Sequence, residues 1–213
     1  MGRSTKAALV VVDVQTDFLP GGALPVEDGD RILPAVGALM ASFRFDTVVA
    51  TLDWHPPGHV SFASSHPGAR PFESLESRGQ RQTLWPDHCV QGTPGAELTP
   101  WLSWVRLDAL IRKGTARDVE AVSGFGSTPD QEGRTRPTGL AGYLKDRGIE
   151  QVYLCGLARD ICVRWTALDA VGAGFGTILV WDACRPVDPN SDEPVRRELQ
   201  SHGVALGSAE DLL

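Results

Sequence analysis

The sequence predicts an α/β fold whose sheet is parallel and covered by helices on both faces. Three observations carry this. Residues 8–12, Ala-Leu-Val-Val-Val, form an unbroken apolar run suited to a strand buried on both sides. Shorter apolar runs of the same kind recur and alternate with stretches of helical spacing. No internal repeat or low-complexity block interrupts that alternation, and 213 residues suffice for one sizeable core, so a single domain over 1–213 is expected.

The elements follow in order. Residues 8–12 make the first strand, and residues 31–43 carry apolar side chains at helical spacing. Residues 47–51 make the second strand. Residues 54–100 are rich in Pro, Gly, Ser and His, a long excursion of the kind that is usually functional. Its Trp54, Phe62, Phe72 and Trp85 argue for order. Residues 105–111 read as a third strand, followed by a polar loop, and Pro137 suits the first turn of a helix over 137–146. A fourth strand at 151–155, a helix at 160–171, a fifth strand at 177–181, a helix opened by Pro194 and a short strand at 204–206 complete the chain.

Composition excludes several classes. A formal charge of -7 without a basic run opposes a nucleic-acid binder. The first apolar run is broken by Asp13, too early for a signal segment or a membrane span. The four cysteines, Cys89, Cys155, Cys162 and Cys184, form no Cys-x-x-Cys pair, and free thiols in a reducing cytoplasm are expected. The sequence leaves a homo-oligomer open.

Right-handed crossovers bring the carboxyl ends of parallel strands to one edge, where ligands bind. Asp13 follows strand one, Asp53 and His55 follow strand two, Lys113 follows strand three, and Cys162 lies in the first helical turn after strand four. Singly, each has an ordinary reading: Asp13 as a turn cap, Lys113 as a surface lysine, Cys162 as a buried thiol. Asp53-x-His55 with a lone His88 is not a zinc-finger spacing. Together on one rim they offer a nucleophile, a base, a cation and metal ligands.

These segments resemble the nicotinamidase branch of the isochorismatase-like cysteine hydrolases. The resemblance runs over nearly the whole chain. It rests on Val11-Val12-Asp13-Val14-Gln15-Thr16-Asp17-Phe18 with Gly21-Gly22-Ala23-Leu24, on Asp53-Trp54-His55-Pro56, on Trp85-Pro86-Asp87-His88-Cys89-Val90, on Lys113-Gly114, and on Gly156-Leu157-Ala158-Arg159-Asp160-Ile161-Cys162-Val163. It implies a three-layer α/β/α domain with a six-stranded parallel sheet. It also implies an amidohydrolase that converts nicotinamide to nicotinate, and pyrazinamide likewise. The rival readings are an amidase for another small heteroaromatic or aliphatic amide, and a metal-binding member without catalysis.

Under this resemblance Cys162 is the nucleophile, Asp13 the proton acceptor and Lys113 the cation that orients Asp13. A helix start, Lys113 and Asp13 would all favour the thiolate. Backbone N–H groups of Ala158 and Cys162 form the oxyanion hole, with a cis peptide at Leu157–Ala158. Asp53, His55 and His88 hold one divalent ion, Zn²⁺ first, then Fe²⁺ or Mn²⁺. His59 is a further ligand or a partner behind the ligands. Phe18, Trp85 and Val122 line the ring pocket. Two positions depart from the family pattern. Val122 stands where relatives usually carry an aromatic residue, and Arg159 where they mostly carry a smaller one, so Arg159 either turns outward or touches substrate.

Overall fold

The computed structural model describes residues 5–77, 80–130 and 132–213. Six strands form one sheet: β1 (Ala7–Val12), β2 (Thr47–Asp53), β5 (Ala109–Lys113), β6 (Gln151–Leu157), β7 (Gly176–Arg185) and β8 (Ala205–Gly207). Their order is β5-β2-β1-β6-β7-β8, and every neighbouring pair is parallel. β1 and β2 are buried along their whole length, which explains why they read as continuous apolar runs rather than as alternating ones. β5 lies at an edge and alternates in burial instead.

The helices are α1 (Leu33–Ala41), α2 (Leu140–Asp146), α3 (Arg164–Gly172) and α4 (Asp192–Ser201). The chain moves from β1 outward through β2 to β5, then returns past β1 to β6 and on to β7 and β8. Right-handed crossovers therefore place α1 on one face and α2, α3 and α4 on the other. The strand order reverses between β1 and β6, and this switch point opens a crevice at their carboxyl ends.

Several boundaries differ from the sequence expectation. The third strand is Ala109–Lys113, not 105–111. Residues 104–107 close a turn, in which the Leu107 N–H donates to the Trp104 carbonyl and Val105 is left exposed. Asp108 then accepts from the Val48 N–H and sets the register. Lys113 is consequently the last residue of its strand, and Asp53 the last of β2. Pro137 does not open a helix. It pairs with Gly126, and α2 starts after Gly139, whose φ of +95° turns the chain. The helix expected at 160–171 begins as a π-turn over Arg159–Val163, closed by the Val163 N–H on the Ala158 carbonyl, and such wide turns frequently mark functional sites. The 54–100 excursion contains an unforeseen antiparallel hairpin, β3 (Ser74–Ser77) and β4 (Gln80–Thr83). Among the described residues no helix is long and apolar enough to cross a membrane.

Candidate active site

Asp13 sits one residue beyond β1 and Cys162 a few residues beyond β6, on the two sides of the switch point. Asp13 has a φ of +48° and is wholly buried. Its backbone N–H donates to the Thr51 hydroxyl, which in turn donates to Asp13 Oδ1 at 2.6 Å. Its Oδ2 lies 2.8 Å from Lys113 Nζ. Lys113 Nζ also donates to Asp53 Oδ1 and, at 3.4 Å, to Cys162 Sγ. The sulfur and one carboxylate oxygen each of Asp13 and Asp53 lie within 4.8 Å of one another. Lys113 is therefore the hub of two carboxylates and a thiol.

The electrostatics follow from this geometry. Burial pushes the Asp13 carboxyl up, and the Asp53 charge adds to that, against the pull of Lys113. Burial also pushes the Cys162 thiol well above its ordinary range, with Asp13 and Asp53 adding to the effect and Lys113 opposing it. Burial and the two carboxylates thus oppose the thiolate, and of the three features expected to favour it Lys113 pulls that way while Asp13 does not. Burial disfavours charge on Lys113, but Asp13 and Asp53 outweigh it and hold its pKa well above normal. Asp53 is likewise buried, yet Lys113 and His55 hold it well below the usual carboxylate range.

Asp53, His55 and His88 converge beside this cluster. His55 Nε2 lies 3.5 Å from Asp53 Oδ1, and His88 Nε2 lies 3.7 Å from Asp53 Oδ2. Each imidazole turns its Nδ1 to a backbone carbonyl: His55 to Gly114 at 3.2 Å and His88 to Pro86 at 2.8 Å. An Nδ1–H held in this way leaves the Nε2 lone pair facing the carboxylate, which is how metal-ligating histidines are oriented. These three residues thus fit a divalent cation by donor type, by convergence and by tautomer.

Gly114 is needed for that arrangement. Its φ is +64°, and a Cβ there would come within 2.4 Å of His55 Cε1. Gly156 is likewise required at the register shift between β6 and β7, where a Cβ would lie 2.1 Å from the Val12 carbonyl oxygen.

His59 stacks near His55, with ring centroids 4.2 Å apart. Its Nδ1 is 2.8 Å from the Ser61 hydroxyl and its Nε2 is 3.1 Å from the Val119 carbonyl, so both nitrogens already have protein partners. Burial, and then the neighbouring His55, lower its pKa. Phe18, Trp85, Val122, Ala158 and Cys162 surround one cavity, together with Asp53, His55 and His88. Ala158 caps the π-turn that carries Cys162, and the Leu157–Ala158 peptide is cis. Arg159 points away from the cavity: it grips Asp192 through both oxygens and donates to the Trp181 and Cys184 carbonyls.

Sequence reasoning missed two residues. The Gln15 side chain donates to the Asp53 and Ala96 carbonyls and accepts from the Asp53 N–H, which clamps the end of β2. Thr51 holds Asp13. A polar residue inside an apolar strand was the available signal for Thr51; Gln15 had none beyond its place in the opening motif.

Comparison with known proteins shows the family. The isochorismatase domain model matches residues 7–211. A nicotinamidase of Acinetobacter baylyi is 44% identical over 214 residues, covering 100% of this chain and 97% of that protein. Among solved structures, a nicotinamidase/pyrazinamidase of Acinetobacter baumanii has 46% identity and a TM-score of 0.92, with 100% of both chains covered. A Pyrococcus horikoshii pyrazinamidase in complex with zinc has 39% identity and a TM-score of 0.77, covering 95% of this chain and 99% of that one. The chain belongs to the isochorismatase domain family, in its nicotinamidase and pyrazinamidase branch.

Proposed function

We propose that this protein is a metal-dependent cysteine amidohydrolase that converts nicotinamide and water to nicotinate and ammonia, a step of NAD salvage, and that it also hydrolyses pyrazinamide. The observation that carries the reading is the Lys113 hub, which holds Asp13 and Cys162 together beside the Asp53–His55–His88 set in one cavity. The whole chain acts as one domain, and its four free thiols suit a cytoplasmic setting.

Cys162 Sγ attacks the carboxamide carbon while its proton passes to Asp13, so the nucleophile is made at the moment of attack. Lys113 stays cationic and carries the countercharge of the pair. The tetrahedral oxyanion is held by the N–H groups of Ala158 and Cys162. Asp13 then protonates the amide nitrogen, and ammonia leaves. Water attacks the thioester, Asp13 accepts its proton, and the acid product departs as the thiol is restored. Asp53, His55 and His88 would hold the metal, Zn²⁺ in the first instance and Fe²⁺ or Mn²⁺ as alternatives, with His59 bracing His55 from behind. When bound, the ion supplies a Lewis-acidic anchor for the ring nitrogen and so fixes the substrate's position. Phe18, Trp85 and Val122 form the walls around the ring.

The test is ammonia release from nicotinamide by the purified protein, before and after treatment with a chelator and after metal is restored. Absence of turnover in the metal-loaded protein sinks the assignment.

A further inference from the structure

A second cavity, of about 480 Å³, adjoins the ring pocket. The two share four lining residues: Trp85, Glu120, Val122 and Ile161. The partition is thus made of two aliphatic side chains, an indole and the Glu120 carboxyl group. We propose that this cavity extends the substrate site and admits heteroaromatic carboxamides that carry an uncharged, apolar ring substituent, such as an alkyl group or a second aromatic ring. The proposal rests on the amidohydrolase reading above and specifies its substrate range.

Size, shape and charge all point the same way. The cavity falls within the roughly 300–1,000 Å³ typical of small-molecule sites. Its far wall includes the Trp165 indole, which is 41% exposed, so a large apolar surface is already presented there. The indole is held in place: the Arg164 guanidinium lies 4.6 Å from its ring centroid and is itself tied to Glu198. A flat substituent can therefore stack on a ring that loses little freedom on binding. At the junction, the buried Glu120 carboxyl group accepts from the Ala121 N–H at 2.8 Å and from the Gln82 amide at 3.2 Å. The charged residues of the lining are Glu120, Asp169 and Arg81, so two carboxylates face one guanidinium and the balance disfavours an anionic substituent.

The experiment measures kcat/KM by ammonia release from nicotinamide and from nicotinamides bearing methyl, phenyl or carboxylate at each open ring carbon in turn. At one ring position the phenyl compound should stay within about tenfold of nicotinamide, and the carboxylate compound should fall about 100-fold below it. Val122→Phe, which thickens the partition, should lower the phenyl-to-nicotinamide ratio about tenfold or more. Trp165→Ala should lower it several-fold. Because each ratio is taken within one preparation, a general loss of folded enzyme cancels. Normal turnover of nicotinamide with no position tolerating phenyl overturns the proposal, as does a ratio unmoved by both substitutions. Turnover of a phenyl compound without turnover of nicotinamide upholds the extended site and overturns the nicotinamide assignment. No hydrolysis of any compound removes both.

Discussion

Replacing Gly114 by alanine should weaken metal binding without touching a ligand. The added Cβ would sit 2.4 Å from His55 Cε1 and 2.6 Å from Nδ1, whereas carbon atoms rest at roughly 3.5 Å or more. The ring must therefore retreat by about 1 Å, which breaks its 3.2 Å contact with the Gly114 carbonyl. Loss of such an orienting partner typically costs about 10–100-fold in metal affinity. Alanine at a φ of +64° adds about 1–2 kcal/mol of backbone strain. Adding crowding to this strain gives about 2–3 kcal/mol of lost stability in the metal-free protein, or roughly 4–12 °C in melting temperature for a chain of this size. The assays are a competitive zinc titration and a thermal melt of metal-free protein. Wild-type zinc affinity in a folded Gly114→Ala variant would refute the reasoning, because it would mean that His55 needs no partner at Nδ1.

Four further outcomes can be checked. Cys162→Ala should abolish ammonia release while leaving the zinc affinity near that of the parent, as the sulfur is not among the proposed ligands. Thr51→Val removes the hydroxyl donated to Asp13 Oδ1, and with it a bond that favours the charged carboxylate. The Asp13 pKa should rise further, so the acid limb of kcat/KM, already expected above the ordinary carboxylate range, should move to higher pH. Gln15→Leu leaves the Asp53 N–H and two carbonyls without partners in a buried setting and should cost about 3 kcal/mol or more, read by urea denaturation. The Arg164 guanidinium holds the Glu198 carboxyl below its ordinary pKa of 4.5. The unfolded chain then binds that proton more readily, so this contribution is complete above pH 4.5 and is lost as pH falls through the folded pKa. The pair is partly exposed, so Glu198→Gln should cost no more than about 1 kcal/mol at neutral pH and should flatten the acid limb of the stability curve.

The central strands, and the side chains that follow them, were legible in the sequence for a definite reason. β1 and β2 lie between helical layers and are buried at every position, so β1 is wholly apolar and β2 is apolar except at Thr47, Thr51 and Asp53. Asp13, Asp53 and Lys113 stand at or just beyond the ends of β1, β2 and β5, and a parallel sheet carries all carboxyl ends to one edge. The edge strand β5 was misplaced because only one of its sides is paired, and its half-exposed pattern resembles the turn that precedes it. The hairpin at β3–β4 was invisible because its residues are mostly polar.

Residue types and their order thus determined the fold class and the set of chemistry-bearing side chains, Asp13, Asp53, His55, Lys113 and Cys162, that follow the strands, because a parallel sheet gathers whatever stands beyond its strand ends. Tertiary structure alone decided the rest. Which groups surround the Cys162 thiol, which way Arg159 turns, how Gln15 clamps β2, and which cavities Val122 lines all depend on distances between segments far apart in the chain. Coulomb and desolvation energies vary with those distances and with burial, and neither quantity is written in a local pattern of residues.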